Sequence, residues 1–371
     1  MTGVQTCALP ISFVPRADGT AAAPITVRAL NDGTAIIDGQ GARKTVDLQR
    51  SWWVIEGIVA RNGTDNVFRV DGSNNVLRRV SAYNASTDIN SSVIMLLGNN
   101  NLVEDAIVAG TGRYMAEVYK GSGNTLRRVF TMWAGWDGRQ FCGVAWPNGN
   151  NIGVYNASNT TVENAIAYGR SLKGVMVQAN SDTAVANNNY VLGSIAVLQG
   201  RNYDGSVWNY GSYPTRPGPT TCTGVDKLGE GGDRVGFILF GQGTITNNVF
   251  RDVLAVDNVG VGFDAHRPYT AGAVSGNVVE RATLVGNGAQ LPTSQRGQGG
   301  NMYISLPGVD VRDSRIPGAP AQIAQGQGAR LQMYVDRQPT GQPMTAWPME
   351  GRAVAELGVS VNAIIQEYAG R

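Results

Sequence analysis

The sequence predicts an all-β fold, a right-handed parallel β-helix solenoid with a short helical or irregular C-terminal cap. Three observations predict it: a six-residue phrase that recurs along the chain, a column of alternating charge inside that phrase, and Asn/Gly/Ser turns that separate its strands.

The phrase is an apolar pair, two mostly polar residues, then a second mostly apolar run. Its first copy is Val54-Ile55-Glu56-Gly57-Ile58-Val59, and it starts again at Val76, Leu102, Thr125, Thr161, Tyr190, Val249 and Val278. Those starts are 22, 26, 23, 36, 29, 59 and 29 residues apart, a base period in the low twenties lengthened by insertions. One coil of a β-helix has that length. Between phrases lies another short apolar run, such as Val93-Ile94-Met95-Leu96 or Phe237-Ile238-Leu239-Phe240. Runs this short, bounded by turn residues, read as strands and not helices. A leucine-rich repeat is excluded by the missing leucine ladder, and a propeller by units too short for four strands.

The third position of the phrase runs Glu56, Arg78, Glu104, Arg127, Glu163, Leu192, Arg251, Glu280. Stacked coils lie about 4.8 Å apart, so alternating signs would pair up the solenoid as a structural ladder along one edge. Each exposed pair would contribute about 0 to 1 kcal/mol.

Residues 1–12 read as a leader foreign to the repeat, because the first eleven (MTGVQTCALPI) look like a translated sequencing-library adapter. On that reading the native N-terminus, with any signal peptide and first coil, lies upstream. Cys7 drops out with it, leaving Cys142 and Cys222 as the native thiols. The β-helix is assigned to residues 13–305, with insertions at 133–151, 200–234 and 286–300. Residues 306–371 depart from the repeat, first as a Pro/Gln/Gly-rich stretch and then as short amphipathic helices carrying Val354, Leu357, Val361, Ile364 and Ile365. Since an open coil end is a sheet edge that must be covered, this segment is expected to cap it.

Composition narrows the function. The 371 residues include 30 basic and 28 acidic side chains for a net charge of +2, with no basic run to neutralise a phosphate backbone, so nucleic acid is not an expected partner. No apolar stretch reaches the roughly 18 residues of a membrane span.

The chain resembles the pectate-lyase-like superfamily of right-handed β-helix proteins, including bacterial secreted members. The residues that carry the resemblance are Ala23-Pro24-Ile25-Thr26-Val27-Arg28-Ala29 through Ile36-Ile37-Asp38-Gly39 as a first coil, Trp53-Val54-Ile55-Glu56-Gly57 as a second, and the closing Trp347-Pro348-Met349-Glu350. The resemblance implies an extracellular or cell-surface protein that acts on a polysaccharide. It is specific for fold and weak for activity.

The two large insertions leave the repeat at one corner and carry Trp133, Trp136, Trp146, Tyr203, Trp208, Tyr210 and Tyr213. These aromatics, with Tyr155, either stack on sugar rings in a groove or pack the loops onto the helix. Cys142 and Cys222 lie one in each insertion and are a candidate disulfide between the two walls.

Uronate elimination needs a base, a cation for the substrate carboxylate and a donor for the leaving oxygen. Lys120, Arg139, His266, Arg267 and Tyr155 are the candidates, each with a plain alternative as a turn cap or solvated loop cation. Inverting hydrolysis needs two carboxylates, for which Asp137 and Asp264 are the best pair. The resemblance implies Lys or Arg bases and often calcium, but no Asp cluster in the sequence spells a calcium site. Polygalacturonase-type Asp-Asp and Gly-His-Gly signals are absent, and Asn-x-Asp occurs only as Asn180-Ser181-Asp182 and Asn202-Tyr203-Asp204, without the other two. The expectation is a lyase or glycoside hydrolase acting on an acidic polysaccharide. The alternative is a non-catalytic glycan-binding, adhesive or structural surface protein.

Overall fold

The computed structural model describes residues 12–87, 89–135, 149–201, 234–266, 272–288, 300–319, 321 and 323–369. Its coils form three parallel faces. Face one stacks the opening residues of each phrase, from Ile25–Arg28 through Trp53–Glu56, Val76–Arg78, Thr161–Glu163 and Val249–Arg251 to Val309–Arg312. Face two stacks the second apolar runs, among them Val59–Arg61, Ser81–Tyr83, Ile166–Tyr168, Ile195–Val197 and Leu254–Val256. The strands Leu102–Thr111 and Thr125–Gly135 run through both. Face three stacks the intervening runs, from Val46–Leu48 through Tyr114–Tyr119, Asn150–Tyr155, Lys173–Ala179, Val235–Gly241 and Phe263–His266 to Met302–Ile304. The protein is an all-β parallel β-helix.

Each position of the phrase has a distinct physical task. Its second residue points inward: Ile55, Leu77, Val103, Leu126, Val162, Val191, Phe250 and Val279 are all buried in one core. Burying a side chain of this size stabilises by about 1.5 to 3 kcal/mol. The fourth residue turns the chain from face one to face two, and at Gly57, Arg79, Asp105, Arg128, Asn164, Gly193, Asp252 and Arg281 the backbone is left-handed. Gly, Asn and Asp accept that conformation readily; at the arginines the coil imposes it.

The residue just before the phrase forms a buried amide ladder. Asn75 Oδ1 accepts from Trp53 N–H at 2.8 Å, Asn101 Oδ1 from Asn75 N–H at 2.8 Å, and Asn124 Oδ1 from Asn101 N–H at 2.9 Å. Asn189, Asn248 and Asn277 continue it. Tight turns at that corner leave backbone groups inside, and the amides satisfy them.

The charge column is in register from Arg28 through Glu56, Arg78, Glu104, Arg127 and Glu163, and resumes at Arg251, Glu280 and Arg312. Its middle is not the exposed edge that the sequence suggested. Glu163 is fully buried and Arg127 is 8% exposed. Arg127 Nε donates to Glu163 Oε1 at 2.5 Å and its Nη1 to Glu104 Oε1 at 3.1 Å.

The C-terminal segment covers them. Residues near Ser314 and Ile316 do lie at the last coil, with Ile316 buried in the core. From residue 329 the chain instead runs back along the outside of the solenoid. Tyr334 N–H donates to Asn164 Oδ1 at 2.8 Å, and Arg337 N–H to Glu163 Oε2 at 3.1 Å. Two helices follow, α1 (Glu350–Leu357) and α2 (Val361–Ala369). Arg352 of α1 reaches the carbonyl of Arg79 at 2.7 Å. The cause is an apolar outer stripe on face two, Ile107, Phe130, Ile166, Ile195 and Leu254, which packs against Trp347, Ile364 and Ile365.

Candidate functional site

The insertions that the sequence singled out all fall where face two hands over to face three, between the strands ending at Gly135, Val197 and Val285 and those beginning at Asn150, Val235 and Met302. Face three is therefore where the candidate residues gather.

Alternation along its strands sends Ala116, Val118, Ile152 and Val154 into the core and their neighbours outward. At one register position, five successive coils present Tyr119, Tyr155, Gln178, Phe240 and His266. Two residues earlier, a parallel column holds Glu117, Gly153, Met176, Ile238, Asp264 and Tyr303. The outer column is half-buried except for Gln178, which is buried, so rings and an amide form a line along the axis.

Contacts tie that line together. The rings of Tyr119 and Tyr155 lie 5.5 Å apart, and those of Phe240 and His266 4.9 Å apart. Asn180 donates to the Tyr155 hydroxyl and accepts from Gln178 Nε2 at 2.8 Å. Burial raises the Tyr155 phenol above its ordinary range, against the pull of the Arg113 charge and the Asn180 bond. Lys120 follows Tyr119 in a left-handed turn, exposed, with its ammonium 5.0 Å from the Tyr119 ring centre.

At the far end, Asp264 and His266 sit two apart on one strand and share a face. Asp264 is buried at 4% exposure, and its Oδ1 lies 2.8 Å from His266 Nδ1, whose side chain is 29% exposed. A carboxylate at Nδ1 assigns that nitrogen the proton and orients the ring.

Lys120 and His266 share this face but do not meet. Four strand spacings of about 4.8 Å put Tyr119 and His266 about 19 Å apart, so Lys120 and His266 stand near opposite ends of the line. Trp133 is a second correction. It is fully buried, its Nε1 donates to the Gly112 carbonyl at 2.7 Å, and its ring packs on Gly149, so it belongs to the core and not to a sugar-stacking wall. The strand that carries it runs on to Gly135, which keeps it in the coil. Asp137, Arg139, Arg267, Trp136, Trp146, Tyr203, Trp208, Tyr210, Tyr213, Cys142 and Cys222 lie outside the described residues.

The sequence reading missed Glu117 and Arg113. Glu117 accepts from Ser92 Oγ at 2.5 Å, and burial pushes its carboxyl above the usual glutamate range despite that bond and the Arg113 charge. Arg113 lies 5.2 Å over the Tyr114 ring. Aligning the strands between phrases, as well as the phrases, would have revealed both columns.

Among the described residues no three of His, Cys, Asp or Glu gather as a metal-binding group. They do not supply the carboxylate set that calcium takes. Among them, too, no helix is long and apolar enough to cross a membrane.

Fold and face together define a parallel β-helix with an aromatic and polar line along one outer sheet. No family model matches the chain, and no curated protein sequence does. Among solved structures it is similar to a pectate lyase, at 16% identity over 84% of this chain and 68% of that one, with a TM-score of 0.47. It is also similar to an alginate lyase from Paenibacillus sp. str. FPU-7, at 15% identity over 81% of this chain and 88% of that one, with a TM-score of 0.48. A polysaccharide lyase from Pseudopedobacter saltans follows at 12% identity, over 89% of this chain and 90% of that one, with a TM-score of 0.37. The likeness is one of fold.

Proposed function

We propose that the protein is a carbohydrate-active β-helix that holds an acidic polysaccharide lengthwise on face three and cleaves it by proton transfer at the Asp264–His266 pair. The observation that carries this reading is the line Tyr119, Tyr155, Gln178, Phe240, His266, one residue per coil. Rings stack on the C–H faces of sugars, while amides and hydroxyls take their hydroxyl groups. Lys120 supplies an exposed cation for a carboxylate near one end. With Nδ1 engaged by Asp264, Nε2 is the nitrogen through which the imidazole would exchange a proton with substrate. Such polymers are met outside the cell, which makes this an extracellular or surface protein.

The separation of Lys120 from His266 favours one second reading, glycan binding without turnover. Polygalacturonate, alginate and neutral glucans distinguish the two when ultraviolet absorbance of unsaturated products and reducing ends are followed together. Turnover of a uronate polymer that is lost in His266→Ala supports cleavage. Retention in affinity electrophoresis without turnover supports binding alone. Neither retention nor turnover on any polymer sinks both.

A further inference from the structure

A cavity of about 790 Å³ opens where face two turns into face three in the first coils, before the Tyr119–His266 line begins. The third coil makes it. Residues 84–91 join Ser81–Tyr83 to Ser92–Leu96, whereas the next coil crosses the same corner with residues 112–113 alone. Of that longer turn, Asn84, Ala85, Ser86, Thr87 and Ile89 line a space whose other side is Gln40, Asn62 and Thr64.

We infer that this corner is a second saccharide site, separate from face three, that takes a neutral mono- or disaccharide. The volume falls within the roughly 300 to 1,000 Å³ of small-molecule sites. Its described lining holds amides, hydroxyls and glycines with no charged side chain, and Ala85 and Ile89 add a small apolar patch. That is the chemistry of sugar hydroxyls and a C–H face, and among the described lining residues there is no cation to neutralise a carboxylate.

The donors are held in place and retain capacity. Asn62 Nδ2 donates to Asp38 Oδ1 at 3.1 Å, and Asn62 Oδ1 accepts from Asn84 Nδ2 at 3.2 Å. Asn84 Oδ1 in turn accepts from Thr111 N–H at 3.3 Å. A side-chain amide has two N–H groups and two lone pairs, so these bonds leave each amide an N–H and a lone pair for a ligand. The wall is tied down as well: Ser91 Oγ donates to the Ser86 carbonyl at 2.6 Å, and Ser86 N–H to the Asp65 carbonyl at 3.2 Å. A preformed wall lowers the ordering cost of binding.

Calorimetric titration of the full chain with glucose, galactose, lactose, maltose and digalacturonate tests the site. At least one neutral sugar should saturate, and Thr87→Trp, which fills the space, should weaken it by about tenfold or more. Gln40→Ala, a change at an exposed side chain, should weaken it too and carries the test if Thr87→Trp fails to fold. Tyr155→Ala should leave it unchanged, which separates this site from face three. Absence of neutral-sugar binding, loss of it in Tyr155→Ala with retention in both corner variants, or digalacturonate binding as tightly as the neutral sugars would each overturn the inference.

Discussion

Arg127 and Glu163 stand in register on adjacent coils, with Nε and Oε1 2.5 Å apart and the glutamate side chain wholly buried. Arg78 and Glu56, two steps along the same column, meet at 3.3 Å with the arginine side chain 36% exposed. One ladder therefore contains two kinds of ion pair.

Removing one partner of the buried pair leaves an unpaired charge in a dry place, which costs about 3 to 5 kcal/mol. Arg127→Ala should lose stability on that scale, whereas Arg78→Ala should lose about 0 to 1 kcal/mol, because its side chain is 36% exposed and Glu56 and Glu104 keep Arg79, Arg127 and Arg128 as partners. Equilibrium denaturation of both variants checks this. Equal losses would mean that the C-terminal segment does not shield Arg127 in solution.

Glu117 gives a pH prediction. Its folded-state pKa is raised, chiefly by burial, so the contribution of the protonated form is fully present below the unfolded value and is lost as pH rises through the folded value. Glu117→Gln keeps the shape and an acceptor for Ser92 but never ionises. It should melt higher than the parent at neutral pH, with the gain vanishing below about pH 4, near the unfolded glutamate value.

The repeat was legible because it follows from stacking. Ile55, Leu77, Val103 and Leu126 must all point inward, and Glu56, Arg78, Glu104 and Arg127 must then share an edge. What covers that edge was not legible. Tyr334, Asp336 and Arg337 carry no periodic signal, and their partners Asn164 and Glu163 lie about 170 residues earlier. The buried role of Asn75, Asn101 and Asn124 was hidden because asparagine also marks exposed turns. Trp133 was misread for a related reason: it lies next to an insertion in sequence but inside the coil in space. Tyr155 and His266 were legible as candidates, but their shared register position was hidden because the strands between phrases carry no common residue type there.

Asp252 gives the opposite pH slope and a way to release the C-terminal segment. Burial opposes its ionisation, but hydrogen bonds from Arg281, Tyr334, Gln332 and the Arg330 N–H outweigh that and hold its carboxyl below the usual range. With a depressed folded value, the stabilisation is present above the unfolded value and disappears as pH falls through the folded one. Tyr334→Phe removes one of these bonds and should cost about 1 to 3 kcal/mol. Limited proteolysis after residue 329 should therefore speed up in acid for the parent, and Asp252→Asn should flatten that dependence. A parent profile as flat as the variant's would show that Asp252 does not hold the segment.

The last prediction concerns Asp264, which on the proposed reading orients His266. Its carboxylate holds His266 Nδ1 at 2.8 Å while remaining 4% exposed, so a substrate on face three would meet the imidazole first. Asp264→Asn preserves the shape but offers an amide, which can present an N–H to Nδ1 and favour the opposite tautomer. In a histidine mechanism oriented this way, the matching change in a serine-protease triad costs about four orders of magnitude in turnover. A lesser site should still lose about 100-fold, in line with the general contribution of a positioned acid or base. Because Asp264 lies behind the outer column, affinity for the polymer should change little, and the loss should fall on kcat with KM nearly constant. If Asp264→Asn keeps full turnover on a polymer that the parent cleaves, the proton transfer belongs to another residue of the face, and His266 is a structural end to its column.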